Sequence, residues 1–297
     1  MKSTFLITCL FFALIVQAQD DYAFRVLANK GSNQVKSGDT WQPLKTGAQL
    51  KKNDELKISE NSSVGLVSKN GKPLEVKEAK TYKVIDLLVK VGSSTSVLNK
   101  YTDFILSSNS DEARKNRLSA TGAVHRGIED IKIYLPENQD AEIFNNFAIF
   151  SWETKKGGAP YVITLKDLYD TELMKMETNE NTVKIDLSDP KLAKESAVLI
   201  EVTSKADVKS KSEQKLIKKL SPSKQDQVKK MFTDATADLK EETAFNKYLL
   251  AGFYEENRLF IDAITCYELA IKMDPENPTY KDAYEEFLLR NKLKSTK

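Results

Sequence analysis

The sequence predicts a multidomain chain: two small all-β domains followed by an all-α helical domain. Three observations predict it. Between residues 22 and 205 apolar residues alternate in short runs, separated by clusters of Gly, Asn, Asp and Ser, which is the signature of strands joined by turns. Beyond residue 221 the apolar spacing changes to the three-and-four rhythm of amphipathic helix. A length of 297 residues favours two or three cores over one.

Composition narrows the function classes. Lys plus Arg number 45 against 43 Asp plus Glu, a net charge of +2, which argues against a chain built mainly to hold nucleic acid or an anionic membrane. With 40% hydrophobic and 30% charged residues, the chain is neither disordered nor membrane-embedded in type. One His and two Cys remove most transition-metal chemistry. The expectation is therefore a non-enzyme with no catalytic, cofactor-binding or metal-binding residues and no cofactor.

Residues 1–18 read as an export signal. Lys2 supplies the positive start, Phe5 to Val16 is almost wholly apolar, and Val16-Gln17-Ala18 offers a cleavage site. The apolar run is shorter than the ~20 residues of a spanning helix. Cys9 lies inside that run and not at its end, so it is not read as a lipid anchor, and its removal leaves Cys266 without a disulfide partner. The expected location is across the inner membrane, in the periplasm or cell envelope, with no integral membrane segment after cleavage.

Residues 22–85 form the first β domain. Strand-like pieces at 23–28, 33–36, 54–58, 64–67 and 74–77 are punctuated by Gly31, Gly38, Gly47 and the tight-turn pair Asn70-Gly71. The order of a Gly-bearing turn, Trp41-Gln42-Pro43-Leu44, Gly47, Leu50 and Asp54 resembles the small β domain of the FecR-like family. That resemblance implies an envelope-associated module, some members being sensory, with Trp41 and Leu44 packed inside. No glycine pattern for cradling phosphate is present. Residues 86–126 read as a linker with short helical or irregular segments; it carries a local basic patch, Arg114 to Arg117, and the lone His125, read as a surface or structural residue.

Residues 127–205 form the second, sandwich-like β domain, with strands at 131–135, 147–152, 161–165, 172–176, 182–187 and 197–203. The order Phe150-x-Trp152, a Gly turn, Tyr161-x-Ile163-x-Leu165 and Asp167 resembles fibronectin-type or immunoglobulin-like exported modules, with Trp152 as core tryptophan. The alternative places Trp152 and Tyr161 at the surface as glycan-facing aromatics. Asp167, Asp170, Glu172, Asp186 and Asp189 lie at strand ends, where an acid pair for glycoside hydrolysis is conceivable, but neighbouring lysines are simpler partners.

Residues 206–220 read as a linker or helix start, and residues 221–293 as the helical domain, opened by Ser221-Pro222. Leu250, Ala251, Tyr254, Ala263, Tyr267, Ala270 and Pro275 fall at the spacing of a tetratricopeptide repeat, with Lys247 where the repeat usually has Trp. The resemblance implies a peptide-binding or protein-binding helical surface, with Asn246, Asn257 and Arg258 as groove residues and Tyr254 as its floor or as core. Taken together, the three parts resemble exported bacterial (Bacteroidetes-like) multidomain proteins. The implied function is protein interaction or scaffolding in the envelope; the alternative is glycan or cell-wall binding, or sensing, through the β domains.

Overall fold

The computed structural model describes residues 22–113, 115, 130–239 and 241–294. The export segment 1–18, Arg114, Asn116, Arg117 and His125 lie outside the described residues. The described chain forms two small β units followed by a bundle of packed helices.

The first unit comprises β1 (Phe24–Lys30), β2 (Gln34–Ser37), β3 (Thr40–Pro43), β4 (Gln49–Leu50), β5 (Glu55–Lys57), β6 (Ser63–Ser68), β7 (Pro73–Val76) and β8 (Thr81–Lys83). They make two four-stranded antiparallel sheets, β4-β1-β6-β7 and β3-β2-β5-β8. Phe24, Val26, Leu50, Leu56, Val64 and Leu66 fill the space between them. Gly31, Gly38 and Gly47 all take positive φ in turns, where a side chain would strain the backbone.

Trp41 departs from the expectation. Leu44 is buried, but Trp41 remains 38% exposed. The hairpin register explains it: Trp41 pairs with Lys36, while Gln42 pairs with Val35. Side chains alternate across a strand, so Val35 and its partner row point inward and Trp41 shares the outer face with Lys36.

Two helices follow, α1 (Val84–Val91) and α2 (Leu98–Ser108). Much of α2 is interior: Leu98, Tyr101 and Ile105 are buried. The second β unit comprises β9 (Ile131–Ile133), β10 (Glu142–Ile143), β11 (Phe147–Thr154), β12 (Tyr161–Lys166), β13 (Glu172–Thr178), β14 (Thr182–Asp186), β15 (Ala197–Ser204) and β16 (Lys215–Lys219). Its sheets are β14-β11-β9 and β10-β16-β15-β12-β13, antiparallel except where β10 runs parallel to β16. The segment 206–220 is thus not a linker or helix start throughout: β16 pairs with β15, setting Ile217 opposite Val198. Lysines on both sides of Leu216-Ile217 mask the strand in the sequence, yet Ile217 is 1% exposed.

The bundle is built from α3 (Pro222–Thr236), α4 (Ala244–Glu256), α5 (Phe260–Met273) and α6 (Pro278–Arg290). Thr243 and Asn277 cap α4 and α6 by accepting from the backbone N–H groups of Asn246 and Thr279. These helices form a layer between the two sandwiches. All six residues of β6 are buried, because Val64 and Leu66 face their own sandwich while Gly65 and Val67 face the helices. A Cβ on Gly65 would lie 2.4 Å from the Phe245 ring of α4. On the other side, the N–H of Ile149 in β11 donates to Thr265 Oγ1 of α5 at 3.0 Å, and Ser151 bonds Glu268. Strands buried on both faces lose the simple alternation that marks a half-solvated sheet. Gly65→Val is expected to lower unfolding free energy by about 1–3 kcal/mol through overpacking against Phe245, read by urea titration.

Candidate functional site in the helical layer

The antiparallel pair of α4 and α5 is close because small residues meet there: Ala251, Ala263 and Ala270 are fully buried. Aromatic rings fill the remaining space, with Tyr267 stacked on Tyr284 at 5.5 Å between centroids. Tyr101 of α2 meets Phe253 of α4 edge-on at 5.1 Å. α2 approaches so closely that a Cβ on Gly252 would lie 2.5 Å from Ile105. The long face of α4 is therefore occupied from within the chain.

Two buried carboxylates organise this layer. Glu255 accepts from Arg290 Nε and Nη2, both at 2.6 Å, from Asn291 Nδ2 at 3.0 Å and from the Tyr267 hydroxyl at 3.3 Å. Arg290 also donates to Asn109 just past the end of α2. Asp262, in the first turn of α5, accepts from the backbone N–H groups of Phe144 and Asn145 at 2.8 and 3.0 Å and from Asn145 Nδ2 at 2.7 Å. It thereby ties the bundle to the loop before β11. Burial pushes its carboxyl up to about 6, and the three N–H donors oppose that rise.

A cleft of about 290 Å³ opens on the bundle. Phe232 and the nearby Leu239, Asn246, Leu250 and Tyr254 of α4, Leu269 of α5 and Phe147 of β11 line it. Glu242 and Lys247 form an ion pair at its lip. Cys266 also reaches the wall, and burial raises its thiol well above the ordinary range, so it stays protonated and a poor nucleophile. An apolar floor with a polar rim suits the anchoring side chain of a peptide.

Of the residues singled out in the sequence, Asn246 and Tyr254 meet in this cleft. Tyr254 is 1% exposed and its hydroxyl accepts from Asn145 at 2.9 Å, making it floor and core together. Asn246 donates through Nδ2 to the Glu241 carbonyl at 2.8 Å. Asn257 and Arg258 lie just past the C-terminal end of α4, ~16 Å along the axis from Asn246 and about one turn beyond Tyr254, and neither lines the cleft. Asn257 Nδ2 donates to the Phe253 carbonyl. Arg258 forms a fork with Asp140, Nη2 to Oδ2 at 2.6 Å and Nε to Oδ1 at 3.1 Å. Phe232 falls within the helical apolar rhythm beyond residue 221, and Leu239 lies past the end of α3; Phe147 comes from a β strand distant in sequence, and no local pattern marks it.

Trp152 and Tyr161 are 2% and 3% exposed. They pack edge-on in the second sandwich with centroids 5.3 Å apart, and the Tyr161 hydroxyl bonds Thr154. Neither can stack on a glycan from solvent. The strand-end acids hold turns: Asp167 accepts from the N–H groups of Tyr169 and Thr171, Asp170 pairs with Lys166, and Asp186 accepts from Ser188. These donors hold all three carboxyls below their usual range.

A larger cleft of about 620 Å³ lies between the turn at Thr46-Gly47, the end of α2 and the start of α6. Among the described residues no group of three or more His, Cys, Asp or Glu could hold a metal ion, and no helix is long and apolar enough to cross a membrane. No protein-family model and no curated protein matches this chain.

Proposed function

We propose that the protein is a non-catalytic interaction or scaffold protein of the bacterial cell envelope, exported by its first 18 residues, that takes an apolar segment of a partner protein into the open cleft of its helical layer. The observation that carries this reading is the cleft itself. The repeat-like bundle packs against both sandwiches, and Phe232, Leu239, Leu250 and Leu269 surround a hollow beside Asn246. The rigid flanking units would hold that hollow in a fixed orientation for assembly. The glycan reading through Trp152 and Tyr161 has lost its aromatic surface, since both rings are core.

Deleting residues 222–297 is a poor test, because it would strip cover from β6 and β11. Leu269→Asp is better: it puts a charge into the cleft at a half-buried position. Affinity capture from crosslinked envelopes should lose the partner with Leu269→Asp and keep it with Lys209→Asp on an exposed loop. Equal capture by both variants contradicts the cleft as the binding site.

A further inference from the structure

The outer face of the β3-β2-β5-β8 sheet carries a second arrangement, independent of the helical cleft. Register sets one row across the strands as Trp41, Lys36, Glu55, Lys83, and the next as Pro43, Gln34, Lys57, Thr81. The inward rows hold Val35, Leu56 and Tyr82, with Leu56 and Tyr82 buried, so the first two rows face solvent. Strands lie about 4.8 Å apart, which spreads Trp41 to Lys83 over ~14 Å, the reach of a few sugar units.

Three lysines on this face confront a single glutamate. Lys57 Nζ lies 5.9 Å from the Trp41 ring centroid, and Lys36 and Lys83 make no ion pair among the described residues. Trp41 itself is 38% exposed, so part of its indole is open to a stacking partner. The clefts of about 290, 340 and 620 Å³ are all lined by other residues. The face offers one aromatic ring flanked by several ammonium groups. That arrangement suits a polymer of ring-shaped units with an apolar C–H face and repeated acid groups.

We propose that this face binds an anionic polysaccharide, with a sugar ring stacked on Trp41 and its acid groups held by Lys36, Lys57 and Lys83. Stacking fixes the ring, and the lysines select charge, so binding weakens as salt screens them.

The chain has two tryptophans, and Trp152 is buried, so a fluorescence change on titration reports Trp41. Polygalacturonate added to the full chain at low salt should give a saturable change that disappears at high salt. By calorimetry, Trp41→Ala should weaken binding at least ~10-fold, and Lys36→Glu with Lys83→Glu about 10-fold, with melting temperatures unchanged because all three side chains point away from the core. Absence of a saturable change overturns the proposal. So does equal binding of neutral dextran, equal binding of poly-glutamate, which would make the occupant an acidic peptide, or full affinity in Trp41→Ala.

Discussion

Replacing Glu255 by alanine is expected to lower the unfolding free energy by about 3–5 kcal/mol, the cost of breaking a buried ion pair from one side. The Glu255 side chain is 4% exposed and that of Arg290 19%. Without the carboxylate, the guanidinium loses both its charge-assisted bonds in a site that water reaches poorly. Asn291 and the Tyr267 hydroxyl lose the same acceptor. Because Arg290 also reaches Asn109, the damage should extend from α4 and α6 to the end of α2. Glu255→Gln keeps the shape and one acceptor oxygen, so its loss should be smaller. Urea titration of the two variants checks this, and a loss below about 1 kcal/mol for Glu255→Ala would show that the hub is replaceable by water.

Asp262→Ala is the second large effect, about 3–5 kcal/mol, because several donors lose their acceptor at about 1–3 kcal/mol each. It leaves the N–H groups of Phe144 and Asn145, together with Asn145 Nδ2, without the fully buried acceptor they share. The pH dependence has a definite sign. The carboxyl rises in the folded chain from an ordinary 3.8 to about 6. Between those values the folded chain holds a proton that the unfolded chain has released. This group's contribution to stability is therefore largest below pH ~4 and falls as pH rises toward ~6, by about 3 kcal/mol in all. Asp262→Asn removes the titration, so the stability gap between wild type and variant should narrow over that window. A gap independent of pH from 4 to 7 would mean that the N–H donors keep the carboxylate ionised throughout.

Much of the fold was legible locally. The change of apolar period near residue 221, the Ser221-Pro222 start and the spacing of Leu250, Tyr254, Ala263, Tyr267 and Ala270 all placed helices where the structure has them. Strand positions were equally clear wherever one face is solvated, as in β12, whose burial alternates residue by residue. What failed were features set by partners distant in the chain. Trp41 looks like core by size, but hairpin register, not hydrophobicity, turned it outward. β16 has too few apolar residues to announce itself and is held by β15 and β10.

The layering of the helices between the sandwiches was the least visible feature. It depends on a missing side chain at Gly65, on Ile105 meeting Gly252, and on Asp262 reaching Asn145 across more than a hundred residues. The candidate site divided in the same way. Of the residues the resemblance implied for a groove, Asn246 and Tyr254 line one cleft, while Asn257 and Arg258 fall past the end of the helix. Helical spacing shows which residues share an element, not which side of it another part of the chain will cover.

The account stands or falls on whether a partner occupies the helical cleft. A photoreactive amino acid at Glu242, on the cleft's exposed lip, tests this in intact cells. A discrete crosslinked product is expected from position 242, lost when Leu269→Asp is added, and none from a probe at Arg258 past the end of α4. A product from position 258 alone, or one from 242 that survives Leu269→Asp, would contradict it.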